Sequence, residues 1–181
     1  LALPLLAQAQ HWSLLQRRWK YNYSSTNTGV VDAQIFITST DTPNVGGVTH
    51  ELNRIAHWCD SCPVQLQTDL PQFLQRSVTV SNNVWIFHDP ASVVLLPLAA
   101  VDSTWVLDTL ANVIAQVTSV DSLDQFGIPD VQKTISCSNG DTWVISREWG
   151  VMRMNDLQLR GIQGPDVGTL VPSVEQMYPY Q

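Results

Sequence analysis

The sequence predicts a mainly β, antiparallel sandwich or barrel with two or three short helices. Three observations lead there. Short runs alternate large apolar with polar side chains, the period of a half-buried strand. Between them stand clusters of Asn, Asp, Gly, Ser and Pro, the residues that turns use. Helical spacing is confined to a few segments. Among the 181 residues, 44% are hydrophobic and 14% charged, against a usual charged share of about 25%. Such a chain folds and is long enough to bury one core.

Taken in order, "PLLAQAQHWSLL" has Pro4 near its start and apolar residues at helical spacing. "WKYNY" then places Trp19, Tyr21 and Tyr23 on one face of a strand. "VVDAQIFITST" is a second strand, with Ile35 and Ile37 opposite Phe36. "VTHELNRIAHWC" reads as a helix capped by Thr49. "SVTVSNNVWIFHDP" is two strands about Asn82-Asn83, ended by Asp89-Pro90. "SVVLLPLAAV" is broken by Pro97, and "STWVLDTLANVIAQV" fits either helix or strand. "KTISCSNGDTWVISREW" is the clearest hairpin, turning at Ser138-Asn139-Gly140-Asp141. "DLQLRGIQGP" is a last strand. The expected organisation is a single domain over residues 1–165, followed by a Gly/Pro-containing tail over 166–181.

Charge narrows the partners. The net charge is −7 and the lysines are Lys20 and Lys133 alone. With no basic stripe, at most a weak direct RNA contact is expected, through Arg17, Arg18 and Lys20. No apolar run approaches the ~18–20 residues that span a bilayer, so no membrane partner is expected. The low charge count favours a surface covered by neighbouring subunits over a neutral surface rich in Gln, Ser, Thr and Asn.

"THELNRIAHWCDSC" holds His50, Glu51, His57, Cys59, Asp60 and Cys62. In a helix His50 and His57 are two turns apart, and Arg54 occupies the position where a His-Glu-x-x-His zinc motif needs its second histidine. A zinc site would have to join Cys59 and Cys62 to His57 and Cys137. A redox pair would stand at a helix start after a buried strand, whereas here Pro63 follows the pair at once. The favoured reading is a loop with two small thiols, no cofactor and no metal. His50-Glu51 and His88-Asp89 are the acid–base neighbours, more in keeping with hydrogen-bonded structural residues than with catalysis. No nucleophile elbow, phosphate loop or dinucleotide fingerprint occurs, and no enzymatic activity is expected. The tryptophans are spread along the chain rather than clustered as a stacking platform. Trp12, Trp19, Trp58, Trp105 and Trp149 are therefore candidate interface residues.

Residues 4–40, "PLLAQAQHWSLLQRRWKYNYSSTNTGVVDAQIFITST", resemble the picorna-like capsid jelly rolls, nearest the small coat proteins of plant secoviruses. The likeness lies in a short helix near Pro4–Trp12, a strand centred on Trp19, a turn over Ser24–Gly29 and a β-branched strand over Val30–Thr38. The final Gln181 matches the residue after which polyprotein proteases of those viruses cut. The resemblance implies a jelly roll and a structural subunit of an icosahedral capsid. Its partners would be other coat-protein chains in a symmetric virion shell around the genome. Two alternatives stand beside it. One is a secreted β-rich enzyme or binding protein, in which "LALPLLAQA" is a signal remnant. It would carry a disulfide, Cys59–Cys62 or one involving Cys137, and a pocket holding His50, Glu51 or His88. The other is an assembly component with a β fold that is not a jelly roll, which strand topology distinguishes from the first.

Overall fold

The computed structural model describes residues 12, 14, 20–25, 32–44, 47–58, 74, 77–88, 92–164 and 168–170. The chain is mainly β. Its strands are β1 (Lys20–Ser25), β2 (Asp32–Asn44), β3 (Gly47–Trp58), β4 (Ser77–Ser81), β5 (Val84–His88), β6 (Val93–Leu95) and β7 (Thr104–Asp108). They continue with β8 (Val113–Gln125), β9 (Ile128–Cys137), β10 (Thr142–Ser146), β11 (Gly150–Met154), β12 (Leu157–Gly164) and β13 (Gly168–Leu170). Every strand pairs antiparallel with its neighbour in sequence, and β1 also pairs with β12. The sheet is a meander that curls until its first strand meets its last long one.

This order corrects the jelly-roll expectation. Jelly rolls are built from Greek keys, in which a strand returns by a long connection to lie beside an earlier, non-adjacent one. Here each strand pairs with the one before it in the chain, and β1–β12 supplies the sole non-sequential pairing among the described strands.

The turns explain the order. Asn82 and Asn83 both have positive φ (48° and 60°) between β4 and β5, the backbone that matches strand twist in a two-residue hairpin. Gly140, at φ 92°, turns β9 into β10, within the segment where the sequence predicted a hairpin. Asp108 Oδ1 accepts the amides of Leu110 and Ala111 at 2.8 and 3.0 Å. That Asx-type turn divides "STWVLDTLANVIAQV" into the end of β7 and the start of β8.

No helix occurs among the described residues, so the expected two or three short helices are not found there. "VTHELNRIAHW" is β3, hydrogen-bonded to β2 on one edge and β4 on the other. Two flanking ladders, with Val48, Thr49 and Ile55 suited to a pleated surface, override a local helical pattern. The helix expected near residues 4–12 lies outside the described residues except for Trp12. The sheet also runs past residue 165, since β13 pairs Ile162 with Leu170.

The core fills the inside of the curl. Tyr21 and Tyr23 of β1 are both 1% exposed, as the alternation of "WKYNY" predicted for one face. Trp85, Phe87, Ile135, Ile145, Val151 and Ile162 are fully buried with them. Phe87 and Trp143 lie 6.1 Å apart with tilted rings. The Tyr23 hydroxyl donates to Val151 O at 2.7 Å across the interior. Burial, with Tyr21 beside it, holds its pKa well above the ordinary phenol value. Gly150 has φ 77°, and a Cβ there would stand 1.6 Å from the Leu14 carbonyl oxygen. That position requires glycine both for its backbone and for the close approach of another chain segment.

Candidate functional site

Much of what the sequence singled out falls outside a shared site. Cys59 and Cys62 lie outside the described residues, as do Trp19, Arg17 and Arg18. His57 is a β3 residue opposite Ala33, and Trp58 lies opposite Asp32; their side chains are outside the description. Cys137 is a free, buried thiol at the end of β9. Burial, then the nearby Asp141 carboxylate, push its pKa up to about 11. Among the described residues no group of His, Cys, Asp or Glu could hold a metal ion. Lys20 opens β1 opposite Phe36 and Gln163.

Trp12 and Trp149 are 3% and 4% exposed and belong to the core, which corrects their assignment as interface residues. Their large apolar rings are used inside the chain. Trp105 is half-buried, its indole N–H donating to Val94 O at 2.7 Å.

His50 and Glu51 meet the partner strand at Val78 and Ser77, and His88 is opposite Ser77 on its other side. The strand period therefore puts Glu51, Ser77 and His88 in one row on one face. The His88 imidazole Nε2 lies 3.0 Å from Thr79 Oγ1, which lies 2.9 Å from Thr49 Oγ1. The Thr79 hydroxyl is thus engaged on two sides, in a ladder that cross-links three strands.

The distinctive feature is one the sequence pattern did not reveal, the ribbon of β8 and β9. The two strands pair from Ala115–Cys137 to Gln125–Ile128, with Thr118 bulged out of register. Their outer neighbours stop short. β7 reaches only as far as Gln116, and Asp102 and Ser103 extend the contact by backbone bonds to Val117. β10 covers β9 only from Gln132 to Ser136. The distal half is consequently a two-stranded ribbon beyond the body of the sheet.

The two edges of the ribbon differ. The β9 side is tied to the turn between β10 and β11. Asp130 is 2% exposed and its carboxylate accepts three donors. Ser146 Oγ reaches Oδ2 at 2.5 Å, and the amides of Val131 and Glu148 reach Oδ1 at 2.7 and 3.2 Å. Ser146 Oγ in turn accepts the Trp149 amide at 2.8 Å, and the Arg147 amide donates to Val131 O at 2.9 Å. At the tip, Phe126 and Gly127 have φ 54° and 79°. The Phe126 ring stands edge-on to Trp149, 5.5 Å between centroids. Below, Lys133 donates to the carbonyls of Pro97 and Ala99 and lies 4.7 Å above the Trp12 ring. Burial lowers its pKa. These contacts hold the ribbon in place against the body of the sheet.

The β8 side is open. Among the described residues no strand pairs with the outer edge of residues 118–125. Every strongly exposed large apolar side chain among the described residues lies between Leu98 and Ile128. Val120, Leu123 and Ile128 are on the ribbon, and Val106 pairs outward with Ile114 beside it. No lysine or arginine occurs between Arg76 and Lys133, while Asp102, Asp121 and Asp124 are exposed. The surface is thus an acidic, partly apolar strand edge with unpaired backbone groups, suited to hydrogen-bonding another strand.

Comparison of the chain with protein-family models, with curated proteins and with solved structures finds no match.

Proposed function

We propose that this chain is a non-enzymatic interaction module, a curled β-meander that presents the β8–β9 ribbon to a partner chain. The observation that carries the reading is the gathering of exposed apolar side chains between Leu98 and Ile128, next to the open edge of β8. Contiguous apolar surface on a soluble domain marks contact sites. Here it coincides with a projection anchored by a buried carboxylate. The assembly-component reading with a β fold other than a jelly roll accommodates these features. Membership of an icosahedral shell rests on the resemblance of residues 4–40 to picorna-like coat proteins, whose jelly rolls use Greek-key rather than sequential strand order.

Site-specific photocrosslinking tests the reading. A photoreactive residue at Leu123 or Ile128 should trap a defined partner from the native source, and one at exposed Asn139, at the other end of the two strands, should not. Excess unlabelled protein should compete the crosslink away, whereas the triple variant Val120→Gln, Leu123→Gln, Ile128→Gln should not. Equal trapping from all three positions, or none, would sink the proposal.

A further inference from the structure

Building on the interaction reading, we infer that the open edge of β8 takes an extended, lysine- or arginine-bearing segment of another protein as an added strand. Three features of the edge specify this occupant. Residues 118–125 run alongside β9 with their other edge unpaired among the described residues, so the recognition groups are backbone donors and acceptors at strand spacing. Such groups are satisfied by another extended backbone and not by a helix. Val120 and Leu123 are 41% and 37% exposed and, three residues apart in a regular strand, lie on opposite faces, so each face of the edge offers the incoming strand one shallow apolar contact. Asp121 and Asp124 are exposed, and Ser119 Oγ donates to Asp121 Oδ2 at 2.9 Å. No cation of this chain lies between residues 77 and 132 to answer them.

Charge also selects against a second copy. Two ribbons paired edge to edge would bring both aspartates of each copy together, between chains that each carry a net −7. Like charges opposed across strands destabilise the pairing. The same acids, one on each face of the strand, suit a basic strand that carries a cation on either face. The fixed ribbon helps, because an edge already ordered loses little conformational freedom on binding.

The test uses the whole chain and a short synthetic peptide in which pairs of lysines alternate with pairs of valines, so that each face of the strand carries both, followed by amide NMR. The expected result is a set of shifts concentrated in residues 118–125. Asp121→Lys with Asp124→Lys should weaken binding about tenfold or more, and raised salt should weaken it too. Both side chains are exposed, so the spectrum of the free variant should otherwise be unchanged. Peptide N-methylated at every residue, which blocks both edges, should not bind. Shifts elsewhere, no shifts at millimolar peptide, or unimpaired binding of the methylated peptide would overturn strand addition. Equal binding of a peptide with glutamate for lysine would overturn the cationic occupant. Concentration-dependent shifts in residues 118–125 without peptide would assign the edge to a second copy instead. None of these failures touches the interaction reading, which stands or falls on the crosslinks at Leu123 and Ile128.

Discussion

Ser146 donates to Asp130 at 2.5 Å across 16 residues of sequence, with both side chains buried. The pair joins β9 near the tip of the ribbon to the turn that follows β10. Asp130→Ala leaves the Ser146 hydroxyl and the amides of Val131 and Glu148 without their acceptor. The expected loss is about 2–4 kcal/mol, read as a lower urea midpoint at unchanged slope. Ser146→Ala should cost about 1–2 kcal/mol, since it orphans one oxygen of the carboxylate and the Trp149 amide. Hydrogen exchange in residues 119–131 should accelerate more than in β4 and β5. Uniform acceleration would show that the network supports the whole sheet rather than the ribbon.

Phe126 combines two opposed effects. Its φ of 54° is unusual for a bulky residue, while its ring rests on Trp149. Phe126→Asn suits the backbone and loses the ring, so its net effect on stability should fall within about 1 kcal/mol. Phe126→Ala loses the ring without an equal backbone gain and should be the more destabilising of the two. Thermal unfolding of both variants checks the order, and the reverse ranking would mean the turn strain is negligible.

Lys133 gives a pH signature. Burial lowers its pKa in the folded chain, so below the ordinary lysine value the unfolded state holds the proton more tightly. Its contribution to stability therefore rises with pH and levels off above about 10.5. Lys133→Met should abolish that rise. Plotting the wild-type minus variant unfolding free energy from pH 7 to 10.5 measures it, and a flat difference would contradict the assigned cause.

Cys137 acts in the opposite sense. Its folded pKa of about 11 exceeds the ordinary thiol value of 9.0, so the folded state retains the proton longer. The stabilisation is complete below pH 9 and is lost as pH rises through about 11. Cys137→Ala should remove a fall on the order of 2 kcal/mol across that range. The buried thiol should also react with a thiol reagent at pH 8 only as fast as the chain opens.

The strand content and several turns were legible because their signals are local. Asn82-Asn83 and Asn139-Gly140 carry side chains or a glycine that tolerate positive φ, and the hairpins formed there. Tyr21 and Tyr23 alternate with polar residues and are buried together. β3 was not legible, since "VTHELNRIAHW" becomes a strand through ladders to residues on both sides of it in the chain. The ribbon tip was missed because Phe126-Gly127 does not resemble an Asn-Gly turn; Gly127 before Ile128-Pro129 was its only local sign. Asp130 offered no warning either. A lone aspartate declares nothing until a strand register brings Ser146 and the Glu148 amide to it.

Closure of the curl through β1 and β12 also bears on how the chain reaches its fold. Hairpin after hairpin can form from near neighbours, with little loop entropy to overcome. The Tyr23–Val151 contact, by contrast, spans 128 residues. During synthesis β1 emerges well before β12, the strand that will cover its second edge. Until β12 follows, that edge is exposed to any extended chain nearby. The seam between first and last strands is accordingly where misassembly or exchange between nascent copies would begin.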